Sequence, residues 1–159
     1  MANLILNSLE VRNYRAFCDL KIERLGRVNL LVGKNNVGKT SLLQAIMVVC
    51  QSNAIPCVLT PSQGLNGQRL IELWDGIALT NLEEEVLAAL RLIAPGLVNL
   101  NFVSTLLSGG DRIPVVRISG SKEPLPLYSL GEGMLRALGI SLALVNAKDG
   151  LLLILPLRH

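Results

Sequence analysis

The sequence predicts an α/β fold in which a mostly parallel sheet is flanked by helices and extended by some antiparallel strands. The first observation is a short aliphatic run, Val28 to Val32, that leads into a glycine and then a helical pattern. The second is a composition that is half hydrophobic but only 3% aromatic, so aliphatic side chains supply most of the core. Continuous aliphatic runs are typical of parallel strands covered by helices. The 159 residues suit one domain, which we expect to span residues 1–159.

The N-terminal third predicts two antiparallel strands, then a buried strand, then a helix. Leu4 to Arg12 is largely apolar and Cys18 to Ile22 alternates, so we expect a hairpin or a pair of edge strands around Asn13–Phe17. Val28 to Val32 is predicted to be a buried parallel strand. Thr40 to Gln51 carries apolar residues at helical spacing and is predicted to be a helix.

The remaining sequence alternates between turn signals and periodic segments. Ser52 to Gln68 is rich in Gly, Pro, Ser and Asn, which indicates a loop. Thr80 and Glu83 have the spacing of a capping box, in which each side chain accepts a hydrogen bond from the other's free backbone N–H. The further predicted elements are a helix from Thr80 to about Ile93, a hairpin of Val98–Leu107 and Ile113–Ile118, a helix from about Glu132 to Gly150, and a buried strand from Leu151 to Leu155.

Composition and charge narrow the classes of function. No apolar run reaches the roughly 18 to 20 residues that a bilayer span needs, and no signal peptide is recognisable. We therefore expect a soluble cytoplasmic protein without membrane contact. The net charge of +3 permits nucleic-acid contact, but no basic run interleaved with aromatics supports it. Three cysteines without CxxC spacing and a single, C-terminal histidine predict neither a zinc site nor a disulfide framework.

The residues from Gly33 to Thr40 read GKNNVGKT and match the phosphate-binding pattern GxxxxGK[ST]. Glycines at both ends let the backbone wrap a triphosphate with its N–H groups pointing inward, and the following helix adds its positive end. Lys39 is expected to reach the β- and γ-phosphates, and Thr40 to ligate Mg²⁺. The predicted strand before the loop and helix after it favour binding over a chance glycine turn. We therefore predict ATP and Mg²⁺ as ligands, bound by Gly33, Asn35, Asn36, Val37, Gly38, Lys39, Thr40 and Ser41.

A guanine-reading NKxD pattern is absent from the sequence. Asn146 to Asp149 has nearly the right residue types, but it lies at the end of a predicted helix. Helix capping and solvated charge explain this segment better, which leaves ATP as the predicted nucleotide.

A second motif, Ser129 to Met134, reads SLGEGM and precedes an apolar helix and an aliphatic strand. It resembles the signature motif of ABC-type ATPases. The resemblance implies that Ser129, Gly131 and Gly133 contact the γ-phosphate held by the loop of a partner, and hence that ATP drives formation of a homodimer. The alternative is a helix cap without a ligand, because Ser129 and Glu132 also have capping-box spacing.

The segment from Asn13 to Phe17 reads NYRAF and resembles the N-[FY]-R-x-F segment that opens ATPase heads of the RecF, SMC and OLD type. In those heads the arginine lies near the nucleotide, which implies this position for Arg15. The whole chain is similar to the first part of such a head, most of all to compact AAA-family ATP/GTP-binding proteins without a coiled coil. Trp74 and Asp75 resemble a pair in that group, but core packing and a helix cap are the roles that we predict.

The chain departs from the family pattern after its last aliphatic strand. The family has Asp-Glu at this point, which holds Mg²⁺ through water and activates the attacking water, whereas this chain has Leu155 and Pro156. The later switch histidine is also missing. We therefore expect ATP binding to persist and hydrolysis to be lost or very weak, and we assign no catalytic residue. A C-terminally truncated or frameshifted ATPase head would explain the pattern; the alternatives are a non-catalytic nucleotide-sensing or interaction module and a remnant without function.

Overall fold

The computed structural model describes residues 5–26, 28–34, 37–104, 111–147 and 150–155. The chain divides into two compact units, a first unit of residues 1–57 with 149–153 and a second unit of residues 58–148 with 154–159. The structure is mixed α/β, with helices, antiparallel sheets and one parallel strand pair. The expected single domain stays a prediction. The elements are β1 (Leu9–Tyr14), β2 (Phe17–Ile22), α1 (Lys39–Ser52), β3 (Cys57–Thr60), α2 (Gly67–Asp75), α3 (Leu82–Arg91), β4 (Leu97–Ser104), β5 (Arg112–Ile118), β6 (Leu125–Pro126), α4 (Glu132–Asn146) and β7 (Leu151–Ile154).

In the first unit, β1 and β2 form the predicted antiparallel hairpin. Tyr14 pairs with Phe17, so the chain reverses at Arg15 and Ala16. Within the turn, Arg15 has φ +52°, in the left-handed region that tight hairpin turns use. The hairpin therefore presents Arg15 at its tip.

Helix α1 begins at Lys39 and ends at Ser52, which confirms the predicted helix. Cys50 near its end is 1% exposed, as the apolar spacing indicates. Burial, and then the neighbouring Cys50 thiol, raise the pKa of Cys57 to about 12. The Cys57 thiol therefore stays protonated at neutral pH and is not an activated nucleophile.

The strand predicted at Val28 to Val32 is wrong in this structure. Residues 28–34 form no strand, and the side chains of Val28, Leu30 and Val32 are 92%, 85% and 80% exposed. An apolar run becomes a strand only when a neighbour satisfies its backbone N–H and C=O groups. Among the described residues no strand pairs with this segment. Its composition suits a strand, but the structure supplies no neighbouring strand to pair with it.

The strands β3 and β7 form a two-stranded parallel pair. The Leu151 N–H donates to the Pro56 carbonyl at 2.8 Å and the Leu155 N–H donates to the Thr60 carbonyl at 2.9 Å, so both segments advance in the same direction. A Cβ atom at Gly150 would stand 2.3 Å from the Pro56 carbonyl oxygen, so only glycine permits this approach. The predicted strand at the C-terminal end is confirmed as β7.

The loop predicted at Ser52 to Gln68 is wrong in two places. It contains β3, and its last two residues begin α2. Strand β3 has only four residues, too few to show a period among the surrounding turn residues. Helix α2 begins at Gly67, after the Asn66 side chain caps it by accepting from the Arg69 N–H at 2.8 Å.

In the second unit, α2, α3 and α4 pack with the three-stranded sheet β4-β5-β6. The antiparallel pairing of β4 with β5 confirms the predicted hairpin, with Phe102 opposite Pro114. Of the turn residues 108–111 between the two predicted strands, the structure describes only Asp111. Strand β6 was not predicted. The shared core is largely aliphatic, as the composition indicates. Its members with 0% exposure are Val86, Leu90, Val116, Leu127, Leu138 and Leu142.

The predicted caps of the helices in the second unit are partly confirmed. The Thr80 hydroxyl accepts from the Leu82 N–H at 3.2 Å, and the Glu83 carboxylate accepts from the Leu79 N–H at 2.6 Å, each one residue from the predicted donor. The Asn146 amide, at the end of α4, donates to the Leu142 carbonyl at 2.8 Å and to the Leu73 carbonyl of α2 at 3.0 Å. In the part of the chain that the structure describes, no helix is long and apolar enough to cross a membrane.

Candidate functional site

The predicted phosphate-binding loop ends where α1 begins, and Lys39 is the first residue of that helix. The Lys39 ammonium folds back over the loop, where Nζ donates to the carbonyl oxygens of Gly33 at 2.6 Å and Lys34 at 2.7 Å. The loop therefore holds its lysine through its own backbone. Asn35 and Asn36, which the sequence also assigns to the site, lie outside the described residues.

The N-terminus of α1 presents backbone donors without helical acceptors. The first bond of the helix joins the Leu42 N–H to the Gly38 carbonyl at 2.9 Å, which leaves the amides of Lys39, Thr40 and Ser41 unmatched by the helix. The N-cap residue Gly38 offers no side-chain cap, and the first turn has no acidic residue. An anion placed here would meet these donors and the positive end of the helix dipole.

Gly38 is required at its position for two separate reasons. Its φ is +96°, a conformation that residues with a Cβ atom rarely adopt. A Cβ atom there would also stand 2.8 Å from Cζ of Phe17. The Phe17 ring thus rests on the backbone immediately before Lys39. Phe17 belongs to the NYRAF segment, but its contact with Gly38 could not be predicted, because spacing along the chain does not show which residues meet in space.

Arg15 lies at the tip of the hairpin that Phe17 holds against the loop. Its guanidinium carbon is 5.7 Å from the centroid of the Tyr14 ring, a distance typical of cation–π contact. Arg15 is exposed, as are the loop residues Gly33 and Val37. Its predicted contact with a nucleotide stays a prediction.

The donor set around Thr40 suits a magnesium ion that arrives with a nucleotide. Thr40 is exposed at the second position of α1. Among the described residues, no group of three or more His, Cys, Asp or Glu side chains is arranged to hold a metal. Mg²⁺ keeps several waters and commonly takes one or two protein ligands beside substrate phosphates. One exposed hydroxyl at the start of α1 fits that mode of binding.

The signature-like residues Ser129, Gly131 and Gly133 lie in the second unit, where α4 begins. Gly131 has φ +101° and is the N-cap residue of α4, which has no side-chain cap. The alternative role predicted for Ser129, a capping box with Glu132, is therefore wrong. Cβ atoms at Gly131 and Gly133 would meet nothing within 4 Å, so this end of α4 is open to a ligand or to another chain.

The neighbouring residues Trp74 and Asp75 have structural roles in the second unit. The Trp74 side chain is 5% exposed and its ring lies 5.8 Å from that of Phe102, which confirms core packing. The predicted helix cap by Asp75 is wrong, because its carboxylate accepts two bonds from the Arg112 guanidinium at 2.7 and 2.9 Å. These bonds lower the pKa of Asp75 and raise that of Arg112. Asp75 therefore links α2 to β5 and is poorly suited to act as a base.

A family model described as the AAA ATPase domain matches residues 4–87, a range that contains the hairpin, the loop and α1. The chain belongs to this AAA ATPase family. The predicted resemblance to ATPase heads of the RecF type is confirmed. Membership implies an ATP-binding function of the ATPase type, and the use of a nucleotide, commonly with Mg²⁺.

Three relatives show how far the similarity extends. The DNA double-strand break repair Rad50 ATPase of Archaeoglobus fulgidus is 42% identical over 45 residues, which are 28% of this chain and 5% of that protein. The ATP/GTP phosphatase of Helicobacter pylori is 26% identical over 81 residues, 51% of this chain and 19% of the relative. The DNA replication and repair protein RecF of Clostridioides difficile is 46% identical over 44 residues, 28% of this chain and 12% of the relative. This chain thus spans a small part of each relative, and no solved structure matches it significantly.

Replacing Phe17 with alanine should weaken ATP binding by roughly tenfold, equivalent to about 1.4 kcal/mol. Without the ring, the backbone before Lys39 loses the contact that fixes it against the hairpin. Calorimetric titration with ATP and Mg²⁺ measures the change. Cys18→Ala, at the exposed next residue of β2, is the matched control and should bind like the wild type. Equal affinities of Phe17→Ala and wild type would show that the contact does not position the loop.

Proposed function

We propose that this chain binds ATP with Mg²⁺ at the loop from Gly33 to Thr40. The observation that carries the proposal is the Lys39 ammonium held across the loop by two carbonyl oxygens, beside the uncapped start of α1. Both features favour a ligand with several negative charges. On binding, Lys39 exchanges neutral carbonyl acceptors for charged phosphate oxygens, and charge-assisted bonds are about twice as strong as neutral ones.

The remaining residues of the loop have distinct roles in this proposal. The amides of Lys39, Thr40 and Ser41 donate to phosphate oxygens at the positive end of α1. The Thr40 hydroxyl holds Mg²⁺, which neutralises part of the phosphate charge when it is bound. Arg15 at the hairpin tip supplies a further cation near the nucleotide, as the family resemblance implies.

The signature-like segment is proposed to act on the nucleotide of a second copy. Ser129, Gly131 and Gly133 would approach a γ-phosphate held by the loop of the partner copy. Three features of the second unit support this role: the exposed hydroxyl of Ser129, the open space around both glycines and the uncapped start of α4. ATP would then promote formation of a homodimer.

The proposal includes binding but not efficient hydrolysis. Strand β7 ends at Ile154, so Leu155 and Pro156 are the next two residues, where the family resemblance expects Asp and Glu. The Leu155 carbonyl accepts from the Arg136 guanidinium at 3.3 Å, which gives this residue a structural contact only. Leucine and proline side chains neither hold Mg²⁺ nor activate water. These two residues favour the alternative of a non-catalytic module that senses ATP and regulates a partner.

Calorimetric titration of the purified chain tests the binding step. ATP with Mg²⁺ should give a saturable heat, and removal of Mg²⁺ with a chelator should weaken binding. GTP in the same titration tests the predicted preference for ATP, which rests on the absence of a guanine-reading motif. The absence of a saturable heat with either nucleotide would refute the proposed function.

Phosphate release from ATP should stay close to the uncatalysed background. Phosphoryl transfer depends on positioned charge around Mg²⁺, so the loss of both carboxylates is expected to lower the rate by orders of magnitude. A phosphate-release assay should give the same low rate for the wild type and for Lys39→Ala. Robust release by the wild type that disappears in Lys39→Ala would contradict the expectation, and another carboxylate such as Glu132 would then have to activate the water.

A further inference from the structure

Arg136 lies on α4, one turn after the helix begins, and joins this helix to two other segments of the chain. Its guanidinium donates to the Ser62 carbonyl and, at 3.3 Å, to the Leu155 carbonyl. Ser62 comes two residues after the end of β3, and Leu155 is the first residue after β7. All three residues belong to the second unit, so these bonds hold the first turns of α4 to the chain where both strands end.

The two segments that Arg136 contacts are also bonded to each other. The Leu155 N–H donates to the Thr60 carbonyl at 2.9 Å, while the carbonyl of Leu155 accepts from Arg136. Leu155 therefore uses both of its backbone groups in this arrangement. One side chain of α4 and one backbone bond thus connect three parts of the second unit.

Arg136 is a half-buried cation without a carboxylate partner in the described parts of the chain. The ion-paired cations there are Arg12, Lys21, Arg69, Arg91 and Arg112. Removing a cation from water costs free energy unless hydrogen bonds compensate for it, and here two neutral carbonyls do so. The planar guanidinium presents its N–H donors in a fixed fork, which suits a bridge between two acceptors. The residue type therefore fits the task of fixing one segment against another.

The bridge lies beside the signature-like segment at the start of α4. Gly131 is the N-cap residue and provides no side-chain cap, and Cβ atoms at Gly131 and Gly133 would meet nothing within 4 Å. The two glycines therefore add no packing that would fix this end of the helix. The body of α4 is held further along by Leu138 and Leu142 in the core. Arg136, three residues after Gly133, ties the open end to the segments that follow β3 and β7.

We propose that Arg136 is a positioning residue for the ATP-dependent contact between two copies of this chain. By bridging Ser62 and Leu155, it holds the first turn of α4 in place, so that the signature-like segment meets the nucleotide of the second copy as one unit. Arg136 acts through that segment and does not itself touch the nucleotide. This role rests on the function proposed above for Ser129, Gly131 and Gly133.

Two variants and one matched control test the proposal. Arg136→Met keeps most of the side-chain length without the donors, and Arg136→Lys keeps the charge without the fork. Arg91→Met is the control, because Arg91 is also half-buried and also donates to two carbonyls, those of Leu97 at 2.8 Å and Val98 at 3.2 Å, but from α3. An effect that reflects only lower stability should therefore appear in the control as well.

Light scattering coupled to size-exclusion chromatography, with ATP and Mg²⁺, measures the dimer, and calorimetry on the dilute, monomeric proteins measures ATP affinity. Both Arg136 variants should raise the dimer dissociation constant by roughly tenfold or more, while their ATP affinity stays within about threefold of the wild type. Arg91→Met should match the wild type in both measurements. Without nucleotide, the Leu155 amide should exchange its hydrogen roughly tenfold faster in Arg136→Met than in the wild type, because the bridge no longer holds that segment.

The outcomes separate this role from the proposed function. If Arg136→Met dimerised with ATP like the wild type, the role of Arg136 would be overturned and the proposed function would stand. Wild-type behaviour of Arg136→Lys, or unchanged exchange at Leu155 in Arg136→Met, would overturn the bridge. A wild type that binds ATP but stays monomeric would refute the contact proposed for the signature-like segment, and this role with it. A wild type that does not bind ATP would refute the proposed function itself.

Discussion

Replacing Lys39 with alanine should lower the affinity for ATP by about a hundredfold, equivalent to about 2.8 kcal/mol. The Lys39 Nζ donates to the carbonyl oxygens of Gly33 and Lys34, and the loop pattern predicts that on binding it meets the β- and γ-phosphates. Alanine removes this charge without adding bulk, and the glycines that shape the loop are unchanged. Calorimetric titration of both proteins at the same salt concentration measures the difference.

Lys34→Ala is the matched control for this experiment. Lys34 carries the same charge and belongs to the same loop, but its contribution to the site is its backbone carbonyl, which the substitution retains. We expect its affinity to stay within about threefold of the wild type, as for a screened surface charge. If the two variants lost affinity equally, general charge rather than the position of Lys39 would explain binding. If neither lost affinity, the nucleotide would bind elsewhere.

Replacing Leu142 with alanine should destabilise the second unit by roughly 2 to 5 kcal/mol, the range for a large-to-small change in a packed core. Leu142 lies on α4, is 0% exposed and belongs to the same buried cluster as Trp74. Urea unfolding followed by the fluorescence of Trp74, the single tryptophan of the chain, reports this unit directly. The midpoint should fall markedly while the slope stays the same.

Leu144→Ala removes the same side chain two residues away on the same helix. Leu144 is 61% exposed, so we expect its substitution to change the free energy of unfolding by no more than about 0.5 kcal/mol. If Leu142→Ala and Leu144→Ala lowered the free energy of unfolding equally, the face of α4 that carries Leu142 would not be the buried one.

The elements that sequence alone predicted correctly are those whose signals are local. Helix α4 repeats apolar residues at helical spacing, so its buried face could be read from the chain itself. The β4–β5 hairpin has a cluster of turn residues between two apolar runs. The hairpin around Arg15 and the helix that follows the phosphate-binding loop were predicted for the same reason.

The failures concern features that depend on a partner distant in sequence. The run from Val28 to Val32 has the composition of a strand, but no described strand pairs with it. Two further contacts join residues that are far apart in sequence: Phe17 with Gly38, and Asp75 with Arg112. No periodic pattern in the sequence predicts either contact. The candidate loop residues and the helix that follows them could therefore be predicted from the sequence. The packing of the Phe17 ring against the loop could not.

The three cysteines differ in accessibility, and only one of them, Cys18, is exposed. Cys50 is buried, and the raised pKa of Cys57 keeps that thiol protonated. Cys18 is exposed on β2, directly beside Phe17 in sequence. A maleimide dye at neutral pH therefore has one readily accessible target, on the strand whose first residue rests against the phosphate-binding loop. Its emission can report movements of the hairpin during nucleotide titrations without any engineered cysteine.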